Sequence, residues 1–114
     1  MSSTRRGAAR VVELLHANGK SICTAESITG GDLASALVDI AGASTVFAGG
    51  VTTYSLEAKR AVLGFSETEL ADGAVSAEVA TYMAQRVRKL FGTDYALSTT
   101  GVAGPGPHRG VAQG

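Results

Sequence analysis

A single cysteine, Cys23, stands in a chain of 114 residues, so no internal disulfide can form. The two histidines, His16 and His108, lie far apart with no Cys or second His at ligand spacing, which argues against a metal site and zinc above all. Excess charge of either sign is missing as well. Ten basic and ten acidic residues cancel, leaving no electrostatic footprint for nucleic acid or a membrane surface. A small, compact ligand fits that balance better. No apolar run approaches the roughly 20 residues of a membrane span. Arg5, Arg6 and Arg10 are followed by no apolar core of signal-peptide length, so the expected compartment is the cytoplasm. Internal repeats and low-complexity tracts are absent too. What is present is 45% hydrophobic content in the length of one domain, enough for a modest core.

Periodicity divides the chain into helices and strands. Ala8, Val11, Val12, Leu14 and Leu15 recur at helical spacing from Ala8 to Ala17, and Gly19 closes that helix. Lys20 to Ala25 alternates around Ile22 and suits a strand. Leu33, Ala34, Leu37, Val38 and Ala41 give a second helical face, stopped by Gly42. Val46 to Tyr54 reads as a strand whose Gly49-Gly50 pair bends it or admits another backbone. Ser55 caps a short helix, "LEAKRAVLG", ending at Gly64. Ser66 to Glu69 matches a capping box opening a brief helix that ends near Gly73. Ser76 caps the clearest helix, with Val79, Ala80, Met83, Val87 and Leu90 on one face and basic residues at its end. Asp94 to Thr100 is a further strand, while residues 107–114 have lost all periodicity and read as an irregular tail. Strands separated by such helices predict an α/β fold with a largely parallel or mixed sheet. Ligands in such sheets gather where strands exit into helices. Three polar loops, around Ser27, Tyr54 and Thr100, are predicted strand exits.

The first of these loops is "CTAESITGGDLAS". Read plainly, Thr29 caps a helix and Gly30-Gly31 permit a tight turn. A sharper reading makes the helix-start N–H groups an anion site and Ser27 a nucleophile beside it. The stretch matches neither the P-loop nor the G-x-S-x-G elbow. A serine needs a base, and neither histidine is well placed. A lysine serves if burial lowers its pKa, and Lys59 follows Tyr54 across a strand-to-helix turn. Lys59 as a solvated helix residue, Tyr54 as packing and Glu26 as a surface acid are the plain alternatives.

The segments "TAESITGGDLASALVDIAGAS", "GGVTTYSLEAKRAVLG", "GAVSAEVATYMA" and "DYALSTTGVAGPG" together closely resemble the C-terminal domain family of CinA, the competence/damage-inducible protein, in order and spacing over roughly residues 8–106. The resemblance implies a three-layer α/β/α sandwich over residues 1–106. It also implies, in the family's active members, hydrolysis of nicotinamide mononucleotide to nicotinate mononucleotide and ammonia, in pyridine nucleotide salvage. No metal or organic cofactor is implied, and the ligand is a small nucleotide. Carried over by position, the A-E-S motif makes Ser27 the nucleophile, E-A-K makes Lys59 its base, and T-Y-S and G-x-S assign Tyr54 and Ser44 to relay or positioning. Thr29, Gly30, Gly31 and, in the T-G-x-A-G-P loop, Thr100, Gly101, Ala103 and Gly104 are the implied substrate contacts.

Departures from the family pattern carry expectations of their own. After Pro105 the family continues with further strands and a helix, including an arginine associated with its site, to which Arg109 does not correspond. The chain is therefore expected to be a shortened form. It is either an active amidohydrolase or a catalytically silent ligand-binding or oligomerisation domain, and in either case a homodimer hiding apolar surface.

Overall fold

The computed structural model describes residues 2–102. The calls on Ala103, Gly104 and the tail at 107–114 lie outside them. The first helix, α1, runs Ser3–Asn18. It begins a turn earlier than apolar spacing predicts, because Ser2 accepts the Arg5 N–H as an N-cap. That first turn is solvent-facing and so carries no periodic signal. Gly19, left-handed at φ 62°, closes it with N–H bonds from Gly19 and Lys20 back to His16 and Leu15.

Strand β1 is Ile22–Glu26, and all five of its residues are buried. Helix α2, Asp32–Val38, is shorter than its pattern suggests. Gly42 does not stop it, but opens a 3₁₀ turn at Ala43–Thr45 instead. Strand β2 covers Phe47–Thr52, so the ladder ends two residues before Tyr54. Helix α3, Leu56–Leu63, is capped by Ser55 and closed by Gly64 as its sequence predicts. Ser66 and Glu69 form a reciprocal capping box, yet only turns follow and no α-helix forms there. The box is held instead by Arg86, whose guanidinium grips the Glu69 carboxylate and lies 4.5 Å over the Phe65 ring. Helix α4 is Ala77–Phe91, capped by Ser76, and strand β3 is Tyr95–Ser98.

The sheet is parallel in the order β2-β1-β3, with β1 central. Strand alternation sends β1 side chains to two cores. Ile22 joins Val12, Leu15, Leu37 and Val46 beneath α1 and α2, while Cys23 and Ala25 join Leu63, Phe65, Met83 and Val87 beneath α3 and α4. Helices thus cover both faces, giving the three-layer α/β/α arrangement. The chain moves outward from β1 to β2 and then back past β1 to β3. Crossovers of one hand therefore place α2 and α3/α4 on opposite faces. Leu90 departs from its expected place and is 59% exposed, because Phe91 is the residue at α4's end that turns onto the sheet at Gly49. Among the described residues no helix is long and apolar enough to cross a membrane.

Candidate active site

Strands β1 and β2 are neighbours, but the chain leaves them toward opposite faces, through α2 and α3. A crevice opens where such exits diverge. Ser27 is the first residue after β1, and Lys59 sits one turn into α3 after β2. The two exits bring these residues together: Lys59 Nζ lies 3.0 Å from Ser27 Oγ. Both are buried, Lys59 being 1% exposed and Ser27 7%. The amine also donates to the Thr53 carbonyl at 2.6 Å and reaches the Tyr54 carbonyl at 3.5 Å. Among the described residues no carboxylate pairs with it. Burial pushes its pKa below the ordinary 10.5, since the neutral amine loses less on leaving water.

Two carbonyls that can only accept fix how the amine is oriented. A neutral lysine has two N–H bonds and one lone pair. In the neutral form, N–H bonds directed at Thr53 O and Tyr54 O leave the lone pair for the Ser27 hydroxyl, whereas the ammonium form donates to Ser27 Oγ as well. A hydroxyl and an amine thus stand within hydrogen-bond reach, the separation that proton transfer between them requires.

The loop between β1 and α2 is organised by Glu26. Its side chain is 1% exposed and accepts from Thr29 Oγ1 at 2.6 Å, Leu33 N at 2.7 Å and Ala34 N at 2.9 Å. Burial raises the carboxyl's pKa, but the hydrogen bonds from Thr29, Ala34, Leu33 and Gly31 outweigh it and leave the group below the ordinary 4.5. Glu26 is therefore neither a surface acid nor idle. It caps α2, whose formal N-cap, Gly31 at φ 116°, offers no side chain. Thr29 is not the cap that its position suggests. The anion site expected at the helix start is also taken: Gly31, Leu33 and Ala34 donate to Glu26, Gly30 to Ser27 O and Asp32 to Thr29 O.

The other candidates distribute as follows. Tyr54 contributes its carbonyl, while its side chain is 62% exposed. Ser44 is exposed in the 3₁₀ turn preceding β2, so it lies at the opposite end of the parallel sheet from Ser27 and is not brought to it. Thr100 donates its hydroxyl proton to Ala74 O at 2.5 Å, on the α4 side. Gly101 follows it with no regular structure. Thr99, which the sequence offers only as one hydroxyl of the Thr100 loop, is the residue at Ser27: its Oγ1 accepts the Ser27 N–H at 3.3 Å and lies 2.7 Å from Thr29 Oγ1. Alternation along β3 is the signal that finds it. Ser98 bonds Ala80 O on the α4 side, so Thr99 must face the α2 side, beside Glu26. Cys23 is packed against α4, with its thiol pKa raised by burial.

Comparison with known proteins adds a family. The model of the CinA C-terminal domain matches residues 4–114. A putative competence-damage inducible protein of Caldanaerobacter subterraneus subsp. tengcongensis is 54% identical over 96 residues, which is 83% of this chain and 23% of that protein. A CinA-like protein of Desulfovibrio desulfuricans is 53% identical over 97 residues, 84% of this chain and 23% of its own length. The chain thus spans about a quarter of the length of the curated relatives it matches. Among solved structures, the competence damage-inducible protein A of Klebsiella pneumoniae subsp. pneumoniae superposes with a TM-score of 0.94 at 39% identity, covering 99% of this chain and 71% of that one.

Proposed function

Since the chain belongs to the CinA C-terminal domain family, we propose that it hydrolyses the carboxamide of nicotinamide mononucleotide to nicotinate mononucleotide and ammonia, with Ser27 as nucleophile and Lys59 as base. The observation that supports this most is the 3.0 Å approach of a desolvated lysine to a buried serine. Ser27 Oγ attacks the carboxamide carbon as Lys59 takes its proton. The resulting ammonium then protonates the leaving nitrogen, the C–N bond breaks and ammonia departs, leaving an acyl ester on Ser27. Water attacks the ester with Lys59 again accepting a proton. The C–O bond to Ser27 breaks and the proton returns to Oγ. Tyr54 and Thr53 hold Lys59 through their carbonyls. The same reading makes a nucleotide the ligand and a second copy of the chain the partner.

Ammonia release from the nucleotide tests the proposal directly. Wild type is expected to release it, and Ser27→Ala to lose at least about a thousandfold in kcat. No release by wild type, or an equally active Ser27→Ala, overturns the reading. One observation favours the alternative of a silent ligand-binding domain: the N–H groups from Gly30 to Ala34 already have partners, so none of them is a ready oxyanion donor. In that case calorimetry would register nucleotide binding without turnover.

A further inference from the structure

We infer that Glu26, Thr29 and Thr99 form a one-way hydrogen-bond relay that positions the nucleophilic Ser27. The inference rests on the reading of Ser27 as nucleophile given above. Its direction follows from the ends inward. The Glu26 carboxylate faces the N–H groups of Leu33 and Ala34 at 2.7 and 2.9 Å, so its oxygens act as acceptors. Thr29 Oγ1, 2.6 Å from Oε1, must therefore be the donor. A hydroxyl has one proton. With that proton on Glu26, the 2.7 Å contact between Thr29 and Thr99 is closed by the Thr99 proton. The lone pairs of Thr99 Oγ1 are then left to accept the Ser27 N–H at 3.3 Å. Each link has one possible polarity, and each donation makes the next oxygen a better acceptor.

The relay secures a residue that the sheet alone would leave loose. Thr53 N donates to Glu26 O and Thr99 N to Ala25 O, so the ladder reaches the residue before Ser27 and stops. Beyond that point the Ser27 backbone is tied through its N–H to Thr99, while its hydroxyl faces Lys59 on the other side. Thr99 and Thr29 are positioning residues, acting on the reaction through the placing of Oγ.

Reactivity of Ser27 toward phenylmethanesulfonyl fluoride, followed by intact mass, tests the relay without using the nucleotide. In that reaction Oγ bonds to sulfur, fluoride leaves and the hydroxyl proton passes to Lys59. Wild type is expected to gain one adduct, absent in Ser27→Ala. Thr99→Val and Thr29→Val should each slow modification about tenfold, in line with the sensitivity of catalysis to displacements of an ångström or less. Thr99→Ser, which keeps the hydroxyl, should restore the rate to within about twofold, an outcome that packing loss alone would not give. The double valine variant should be no slower than either single one, because both break the same chain. Wild-type rates in both valine variants, multiplying effects in the double, or failure of serine to rescue would overturn the relay while leaving Ser27 a nucleophile. If Thr99→Val does not fold, Thr29→Val in its half-buried loop carries the same test. A wild type left unmodified at Ser27 would remove the nucleophile and the relay together.

Discussion

Lysine is seldom buried without a carboxylate, because its ammonium loses far more hydration than packing returns. Lys59 is buried against Thr53 O, Tyr54 O and Ser27, with no acid paired to it among the described residues. Such a side chain destabilises the fold wherever it must carry charge, a cost that a proton-accepting role would explain. The sign of the pH dependence follows. Below the lowered folded-state pKa, both folded and unfolded forms hold the proton, and the burial penalty is fully present. Between that pKa and 10.5 the unfolded form binds more protons, so stability rises with pH. Lys59→Met has no such contribution. Its melting temperature relative to wild type should therefore be highest at low pH and fall steadily as pH rises toward 10.5, while the proposed hydrolysis should be lost at every pH. Thermal denaturation of the two proteins from pH 6 to 10 measures the difference. A flat or rising difference would mean that Lys59 is not desolvated in solution.

At the scale of elements, the close contact of β1 with β2 depends on Gly50. A Cβ there would overlap Thr24 Oγ1 and stand 3.0 Å from Thr24 O, and Thr24 is fully buried on the central strand with nowhere to retreat. Gly50→Ala should cost about 2 kcal/mol, within the usual range for overpacking. It should also slow Ser27 modification, since β2 carries Thr53 into the site. Urea denaturation showing wild-type stability would reject the argument. The "FAGGVT" run announced this much by itself, since a glycine pair inside a β-rich stretch signals a close approach. Caps at Ser55 and Ser76 and the stops at Gly19 and Gly64 were equally legible, because each is a local bond between residues three or four apart. The α2 cap was not. Its donor and acceptor are seven and eight residues apart and lie on different elements, so Thr29 was the nearer and mistaken choice. Ser27 and Lys59 stood out through the family resemblance, whereas Thr99 became visible only once the register of β3 against β1 fixed which face it takes. Ser44, which the resemblance alone assigned to the site, sits at the far end of the sheet because β2 runs parallel to β1 and begins where β1 begins.

For the whole molecule, the sheet is unevenly covered. Among the described residues strand β3 is an outer strand, and its Tyr95 and Leu97 side chains turn toward the α1 side, where they are 54% and 41% exposed. With Val11, Leu14 and Asn18 of α1 and Lys20 they border an open groove of about 420 Å³. An edge strand that no other described strand pairs, with apolar side chains beside an apolar groove, is a surface that solution rarely leaves free, because both its backbone groups and its side chains gain from a cover. The proposed second copy of the chain would supply one. Sedimentation velocity should then show association that increases with protein concentration. Leu97→Lys should shift the population toward monomer, since an ammonium in the middle of that contact must give up its hydration. Leu90→Lys, at a still more exposed leucine on the outer end of α4, should leave the distribution unchanged. A wild type that stays monomeric across the concentration range would rule out self-association. Equal effects of both lysines would instead move the contact away from β3, because only Leu97 lies on that strand.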